Sequence, residues 1–371
     1  MKVAWISTFP PALCGIGTYS FYLTQELSKH ISISIVKNWR SGSIFFTFQI
    51  FRETVKVNPS IVHIQHEYML YGAAQRSALF PLLLFFLKFY RKPVVITMHT
   101  VIPMQMLNKK FFADYHAGTR FPLLKRYVVV FFTKLIGWFS NRVIVHTENC
   151  RNFLISEYGF DKQKVEVIPH PCMGKTEHVP VQKQGIFTIA QFGFVKDSKG
   201  IHHVLNILPQ IQEKFNIQFF IIGATRNNPK EIKYTKIVKQ IIKEKRLESY
   251  VTFINHFVPF EELTQFLSKA DIFVFPYTER LLSDSGALKM VISYGKPIIA
   301  TRVRGFQDLG DSIILINPDN IECELLETLI KFVTNRNLTE EYGVKALKLA
   351  EAHNIKKIAQ KTLKVYSELL R

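Results

Sequence analysis

Short apolar runs alternate with longer amphipathic stretches along the whole chain. The runs "KVAWIS" (Lys2–Ser7), "ISISIVK" (Ile31–Lys37), "SIVHIQH" (Ser60–His66), "KPVVITMH" (Lys92–His99), "NRVIVHT" (Asn141–Thr147) and "VEVIPHP" (Val165–Pro171) are rich in β-branched residues and read as strands. Helical spacing occupies the gaps, first in "GTYSFYLTQELSKH" (Gly17–His30). The pattern lapses into polar, proline-containing chain at Lys175–Gly185, which reads as a linker, and then restarts. Strands are predicted at Ile186–Gly193, Ile217–Ala224, Tyr250–Phe257, Asp271–Tyr277 and Lys296–Arg302. Helices are predicted between them, at Gly200–Phe215, Pro229–Arg246, Pro259–Ala270 and Asp284–Gly295. Buried strands separated by helices imply parallel βαβ units. At 371 residues the chain exceeds what one core usually serves. The expected fold is therefore α/β, two Rossmann-like doubly wound domains facing a cleft, over residues 1–174 and 186–350. Ligands in such sheets sit outside the carboxyl ends of the strands.

Composition narrows the setting. The four cysteines, Cys14, Cys150, Cys172 and Cys323, form no CxxC pair, which points to a reducing cytosol and away from a cysteine zinc site. A strand opening at Lys2 leads us to expect no cleavable signal. A net charge of +19 and 32 phenylalanines are the unusual values. Basic and aromatic residues mix in "SIFFTFQIFRETVKV" (Ser43–Val57), "LFPLLLFFLKFYRK" (Leu79–Lys92) and "FPLLKRYVVVFFTKLIGWFSNR" (Phe121–Arg142). Lysines and arginines interrupt or close these segments, so none is expected to span a bilayer. One such segment alone is most simply a core helix with a solvated face. Three in one half of a basic chain lead us to expect contact with an anionic membrane surface, on its cytoplasmic side. Nothing resembles a nucleic-acid module.

Polar residues stand where strands end. His66 and Glu67 follow one strand and His99 another, while His146, Glu148 and His170 close two more. A lone histidine in such a place is more often structural, but together these can line one cleft. No metal-ligand spacing appears, so no metal is expected. The loop "FPPALCGIGTYSFYL" places Gly15 and Gly17 before a helix, where backbone can approach a ligand, although the spacing is not a dinucleotide fingerprint. "FGFVKDSKG" puts Lys196 and Lys199 at a helix start, a pattern suited to a diphosphate. "YTERLLSDSGALKM" runs through Asp284 into Ser285, Gly286, Ala287 and Leu288, whose N–H groups suit a phosphate or simply a Ser cap.

Taken in order, "GIGT", "HIQHEYMLYG", "ITMHT", "VIVHTE", "VIPHP", "FGFVKDSKG", "DSGALKMVISYGKPIIAT" and "RGFQDL" resemble the retaining GT-B glycosyltransferases. That large family includes bacterial mannosyl- and glucosyltransferases and sucrose synthase. The resemblance implies a nucleotide-sugar-dependent hexosyltransferase with an acceptor-binding first domain and a donor-binding second domain. It also implies that residues 351–371 cross back to the first domain. Gly15 and Gly17 then lie near the donor diphosphate and the acceptor. His99 matches the histidine that approaches the donor sugar, and Lys199 the lysine that neutralises the leaving diphosphate. Ser285, Gly286, Ala287 and Leu288 match the segment contacting donor phosphate and ribose. The sequence departs from the family where Phe194 replaces the usual arginine, with Lys196 as substitute charge. It departs again where the Glu-x7-Glu pair is absent, leaving Asp284 and Glu279 as candidates for the sugar contacts. No protein nucleophile is implied, because the leaving phosphate takes the acceptor's proton, and the lack of a clear Asp-x-Asp motif leads us to expect no metal or cofactor. The basic aromatic segments favour a glycan or lipid-linked acceptor at the membrane, in surface polysaccharide or glycolipid synthesis. Two other readings remain open. One is a GT-B-shaped sugar-nucleotide epimerase using His66, Glu67 and Glu148 as acids and bases. The other is a non-catalytic sugar-nucleotide-binding subunit.

Overall fold

In a computed structural model, the chain is described except at residues 11, 13, 73–76, 115–119, 173–184 and 279–283, and for Asp114 and Phe260 in backbone only. The linker expected at Lys175–Gly185 lies almost entirely outside the described residues, and Glu279 lies outside them altogether. The chain divides into two units, Met1–Pro171 with Ile355–Arg371, and Cys172–Asn354.

The first unit carries six parallel strands: β1 (Lys2–Ile6), β2 (Ser32–Val36), β3 (Ile61–His66), β4 (Val94–Met98), β5 (Arg142–Val145) and β6 (Val165–Val167), in the order β2-β1-β3-β4-β5-β6. Helices α1 (Gly15–Leu27), α2 (Phe46–Val57), α3 (Phe80–Phe89), α4 (Pro122–Phe139) and α5 (Glu148–Ser156) cover it. Because side chains alternate along a strand, each strand feeds two cores. Ala4, Ile6, Val62 and Ile64 pack with Phe46, Leu84 and Ile136 of α2, α3 and α4. Val3, Trp5, Ile61 and Val95 pack on the other face with Tyr19 and Leu23 of α1.

The second unit repeats the plan with β7 (Phe187–Phe192), β8 (Ile217–Ile222), β9 (Val251–Ile254), β10 (Ile272–Phe275), β11 (Ile298–Thr301) and β12 (Ile314–Ile316), in the order β12-β11-β10-β7-β8-β9. Its main helices are α6 (Ile201–Gln212), α7 (Pro229–Glu244), α8 (Phe260–Ser268), α9 (Gly286–Ile292), α10 (Ile321–Thr334) and α11 (Arg336–Ala352). The last helix, α12 (Ile355–Leu369), belongs to the first unit and lies against α1. Its Ile358, Ala359, Val365 and Tyr366 complete the core around Trp5. Several elements are shorter than their sequence patterns. Helix α9 begins at Gly286 because Ser285 caps it, its hydroxyl accepting from the Leu288 N–H.

Candidate functional site

In the second unit β7 pairs with β8 on one side and β10 on the other, so the strand order reverses there. The loops after β7 and β10 flank the position where doubly wound sheets take their ligands. One glycine lets these two loops close on one another, and a second, after β8, lets its loop approach the one after β7. A Cβ at Gly200, whose φ is +65°, would lie 2.0 Å from the Pro276 carbonyl oxygen. One at Gly223, φ +155°, would lie 1.8 Å from the Gly193 oxygen. The Thr278 N–H donates to the Ser198 oxygen (3.1 Å) and the Gln191 amide to the Lys199 oxygen (2.6 Å), which fixes the loop carrying Lys199. The half-buried Lys199 ammonium stands 3.5 Å from the centre of the Tyr277 ring. Thr301 holds the Tyr277 backbone by donating to its oxygen (2.5 Å). A Cβ on Gly193 would lie 3.4 Å from Ala287 Cβ, so the loop after β7 meets the start of α9.

Around that helix start, Asp284 Oδ1 accepts the Ser285 N–H (2.7 Å) and Ser285 Oγ accepts that of Leu288 (3.3 Å). The N–H groups of Gly286 and Ala287 have no hydrogen-bond partner among the described residues. Asp284 is not an open carboxylate. Its Oδ2 lies 3.8 Å from the Lys289 ammonium, with both side chains buried, and Lys289 also reaches His353 Nδ1 (3.0 Å). Lys289 went unnoticed in the sequence. Its signal was a single charge inside the apolar run "ALKMVI". Lys196 is half-buried in the same loop as Lys199.

The first unit gathers histidines, though not all those expected together. Residues 99, 146 and 170 surround Tyr19 of α1, with ring centres 5.0, 5.5 and 5.0 Å from it. His66 falls on the opposite face of β3 by the two-residue period. There it lies against Phe80 (4.5 Å) and Tyr68 (5.4 Å), and neither ring nitrogen has a hydrogen-bond partner among the described residues. Burial lowers the His66 pKa to about 3, so this imidazole is neutral. Glu67 is held locally, accepting from the Tyr68 N–H (2.9 Å) and the Thr100 hydroxyl. Glu148 is exposed and pairs with Arg151 (3.5 Å). Burial, then the neighbouring histidines, hold His99 well below the ordinary range. Gly15 opens α1, and a Cβ there would meet nothing within 4 Å, while one on Gly17 would meet the Phe9 backbone at 3.4 Å. Beside them an open pocket of about 470 Å³ is lined by Ser7, Thr8, Phe9, Lys37 and Trp39. Among the described residues no three His, Cys, Asp or Glu side chains are placed to hold a metal ion.

Residues 15–172 match the family described as glycosyltransferase family 4, and residues 184–335 match glycosyl transferases group 1. The chain belongs to the GT-B glycosyltransferases. Solved structures share this glycosyltransferase's fold over almost its whole length. Anabaena HepE, in complex with UDP, is 14% identical over 99% of this chain and 100% of its own, with a TM-score of 0.71. Sucrose-phosphate synthase from Thermosynechococcus elongatus is 15% identical over 100% of this chain and 99% of its own, at 0.75. A glycosyltransferase from Rickettsia africae is 16% identical over 100% and 98%, at 0.67. No curated protein matches the chain significantly.

Proposed function

We propose that the protein is a retaining hexosyltransferase that moves a sugar from a nucleotide-diphosphate donor to a lipid-linked or glycan acceptor, without a metal. The observation that carries this reading is Lys199, fixed at the strand-order reversal of the second unit beside Tyr277, on a loop whose Gly193 meets the start of α9. A diphosphate leaving from that position gains a cation, together with the N–H groups of Gly286 and Ala287. Such preorganised charge stabilises a leaving group without a divalent ion. The departing phosphate takes the acceptor's proton on the same face of the sugar, so no protein nucleophile is needed. HepE is solved with UDP and with UDP-glucose, and an E. coli neighbour with UDP-2-fluoro glucose, which favours a uridine donor. The acid–base residues an epimerase would need do not assemble, since His66 is sealed among aromatic rings and Glu148 faces solvent.

A membrane-held acceptor is supported by the helices α2, α3 and α4. They pack side by side on one face of the first sheet, and ring contacts link Phe51 to Phe86 and Phe85 to Phe139. Their outer surface exposes Phe48, Phe89, Leu123, Tyr127, Phe131 and Trp138, alongside Arg52, Lys56 and Lys88. Apolar area this extensive, rimmed by cations, suits an anionic bilayer surface. Among the described residues no helix is long and apolar enough to cross a membrane. The reading puts the protein on the cytoplasmic face, in the assembly of surface glycans or glycolipids.

The test is thermal denaturation with UDP, GDP, ADP or CDP, with and without EDTA. Stabilisation by one nucleotide that survives EDTA is the expected result. A cooperative melt unmoved by any of them at millimolar concentration would overturn the reading.

A further inference from the structure

A continuous hydrogen-bonded run crosses the interior of the first unit. It starts on α12, where the Tyr366 hydroxyl bonds His63 Nδ1. His63 Nε2 lies 2.8 Å from Thr97 Oγ1 and 3.2 Å from one end of the Gln65 amide. The other end of that amide lies 2.8 Å from His99 Nε2. His99 Nδ1 faces His146 Nε2 at 3.2 Å, and His146 Nδ1 ends the run on the Ile168 carbonyl oxygen at 2.9 Å.

The last partner sets the direction of every proton before it. A backbone carbonyl only accepts, so His146 Nδ1 carries a proton. A neutral His146 then presents a bare Nε2, and His99 must donate to it from Nδ1. A neutral His99 in turn presents a bare Nε2, which only the NH₂ end of Gln65 can satisfy. The two ends of an amide are assigned by such networks. With Gln65 Oε1 turned to His99 instead, two bare nitrogens oppose each other between His99 and His146 unless the pair holds an extra proton. Burial opposes that charge, as it does at His63, where it lowers the pKa to about 3. With the NH₂ end on His99, the Gln65 oxygen accepts from His63 Nε2–H. His63 Nδ1 is then left to accept from Tyr366, His63 Nε2–H is shared with Thr97 Oγ1, and each ring nitrogen of the run has a complementary partner.

We propose that Tyr366 is a positioning residue that acts through His63 and Gln65 to hold His99 neutral, as the Nδ1–H tautomer, in a fixed orientation. The functional part rests on the proposed role of His99 beside the donor sugar; the proton assignment does not. The phenol that reaches this histidine comes from α12, the helix that follows the second unit, and lies on the side of β3 away from His66.

Selective ¹⁵N labelling of histidine side chains reads the tautomers directly, with signals assigned by His63→Gln, His99→Asn and His146→Asn. The intact protein should show Nδ1–H on His99 and His146 and Nε2–H on His63. An Nε2–H or doubly protonated His99 overturns the proposal without any activity being measured. Tyr366→Phe removes one hydroxyl and should stay folded. It should mix the His63 and His99 tautomers and lower kcat about tenfold, with little change in the KM for the nucleotide sugar. Gln65→Met, which breaks the run at its middle, should do the same and serves if Tyr366→Phe does not fold. Mixed tautomers with a wild-type kcat would overturn the positioning role while leaving the transferase reading intact. Failure of the unaltered protein to bind any nucleotide would strike that reading and leave the proton assignment standing.

Discussion

Lys199 and Tyr277 meet as cation and ring face, 3.5 Å from ammonium to ring centre, although they lie on loops following different strands. The aromatic face fixes the ammonium at the strand-order reversal, where the proposed diphosphate leaves. Lys199→Met should therefore lower kcat by about a hundredfold or more, the scale of losing one charge-stabilising donor. Tyr277→Phe keeps the ring face and should leave KM for the donor within about threefold, since an exposed-to-partly-desolvated cation–π contact is worth only about 0.5–2 kcal/mol. Steady-state transfer kinetics on both variants decide it; equal losses would show that the ring is not simply a cradle.

Asp284 and Lys289 form a buried ion pair, and breaking one side leaves the other charge stranded. Asp284→Asn should cost about 3 kcal/mol or more in the stability of the second unit. The double variant Asp284→Asn with Lys289→Met should recover most of that loss, as measured by urea denaturation. If the recovered protein transfers sugar normally, Asp284 has no part in donor contacts.

His66 stands among rings, with neither nitrogen partnered among the described residues. Replacing it with Phe should leave stability at pH 7 unchanged or raise it by about 1–2 kcal/mol, because a buried unsatisfied polar group is removed. The pH dependence has a definite sign. His63 and His66 titrate near 3 when folded against 6.5 ordinarily, so between those values the unfolded chain binds protons that the folded chain does not. Their contribution is present in full above pH 6.5 and is lost as pH falls, by about 1.4 kcal/mol per pH unit for each residue. His66→Phe should flatten the slope between about pH 6 and 4 by one such share. An unchanged slope would mean that His66 is already protonated in the fold.

The aromatic surface of α2, α3 and α4 should bind vesicles containing anionic lipid and ignore neutral ones. Added salt should weaken the binding, since part of it is screened charge. A Phe89→Ser, Tyr127→Ser, Trp138→Ser triple variant should lose at least tenfold in cosedimentation while melting as before, because all three side chains are largely exposed. Undiminished binding would overturn the membrane reading of this surface.

Local patterns carried most of the architecture into view. Strands such as "IVHIQH" and "IQFFII" announce themselves through β-branched density, and both pair in parallel as the intervening helices require. Strand β12 did not, because three residues, Ile314–Ile316, hold no period to detect. Within the candidate sites, the loop lysines and the histidines at strand ends were visible. The two-residue period also separates His66 from His63 and Gln65, a distinction open to anyone counting along β3. What no local pattern could reveal is the pairing of His63 with Tyr366, 303 positions away, whereas the lone Lys289 in an apolar run was a local sign of its pairing with Asp284.

Helix α12 also has a consequence for biosynthesis. The first unit needs Ile358, Val365 and Tyr366 to close the core around Trp5, and these residues leave the ribosome after the whole of the second unit. Residues 172–354 form an uninterrupted unit whose parts are all available earlier. Emergence from N- to C-terminus usually lets the leading domain fold first. Here the order is inverted: the half made second can finish first, and the half begun first must wait for a helix made after its neighbour.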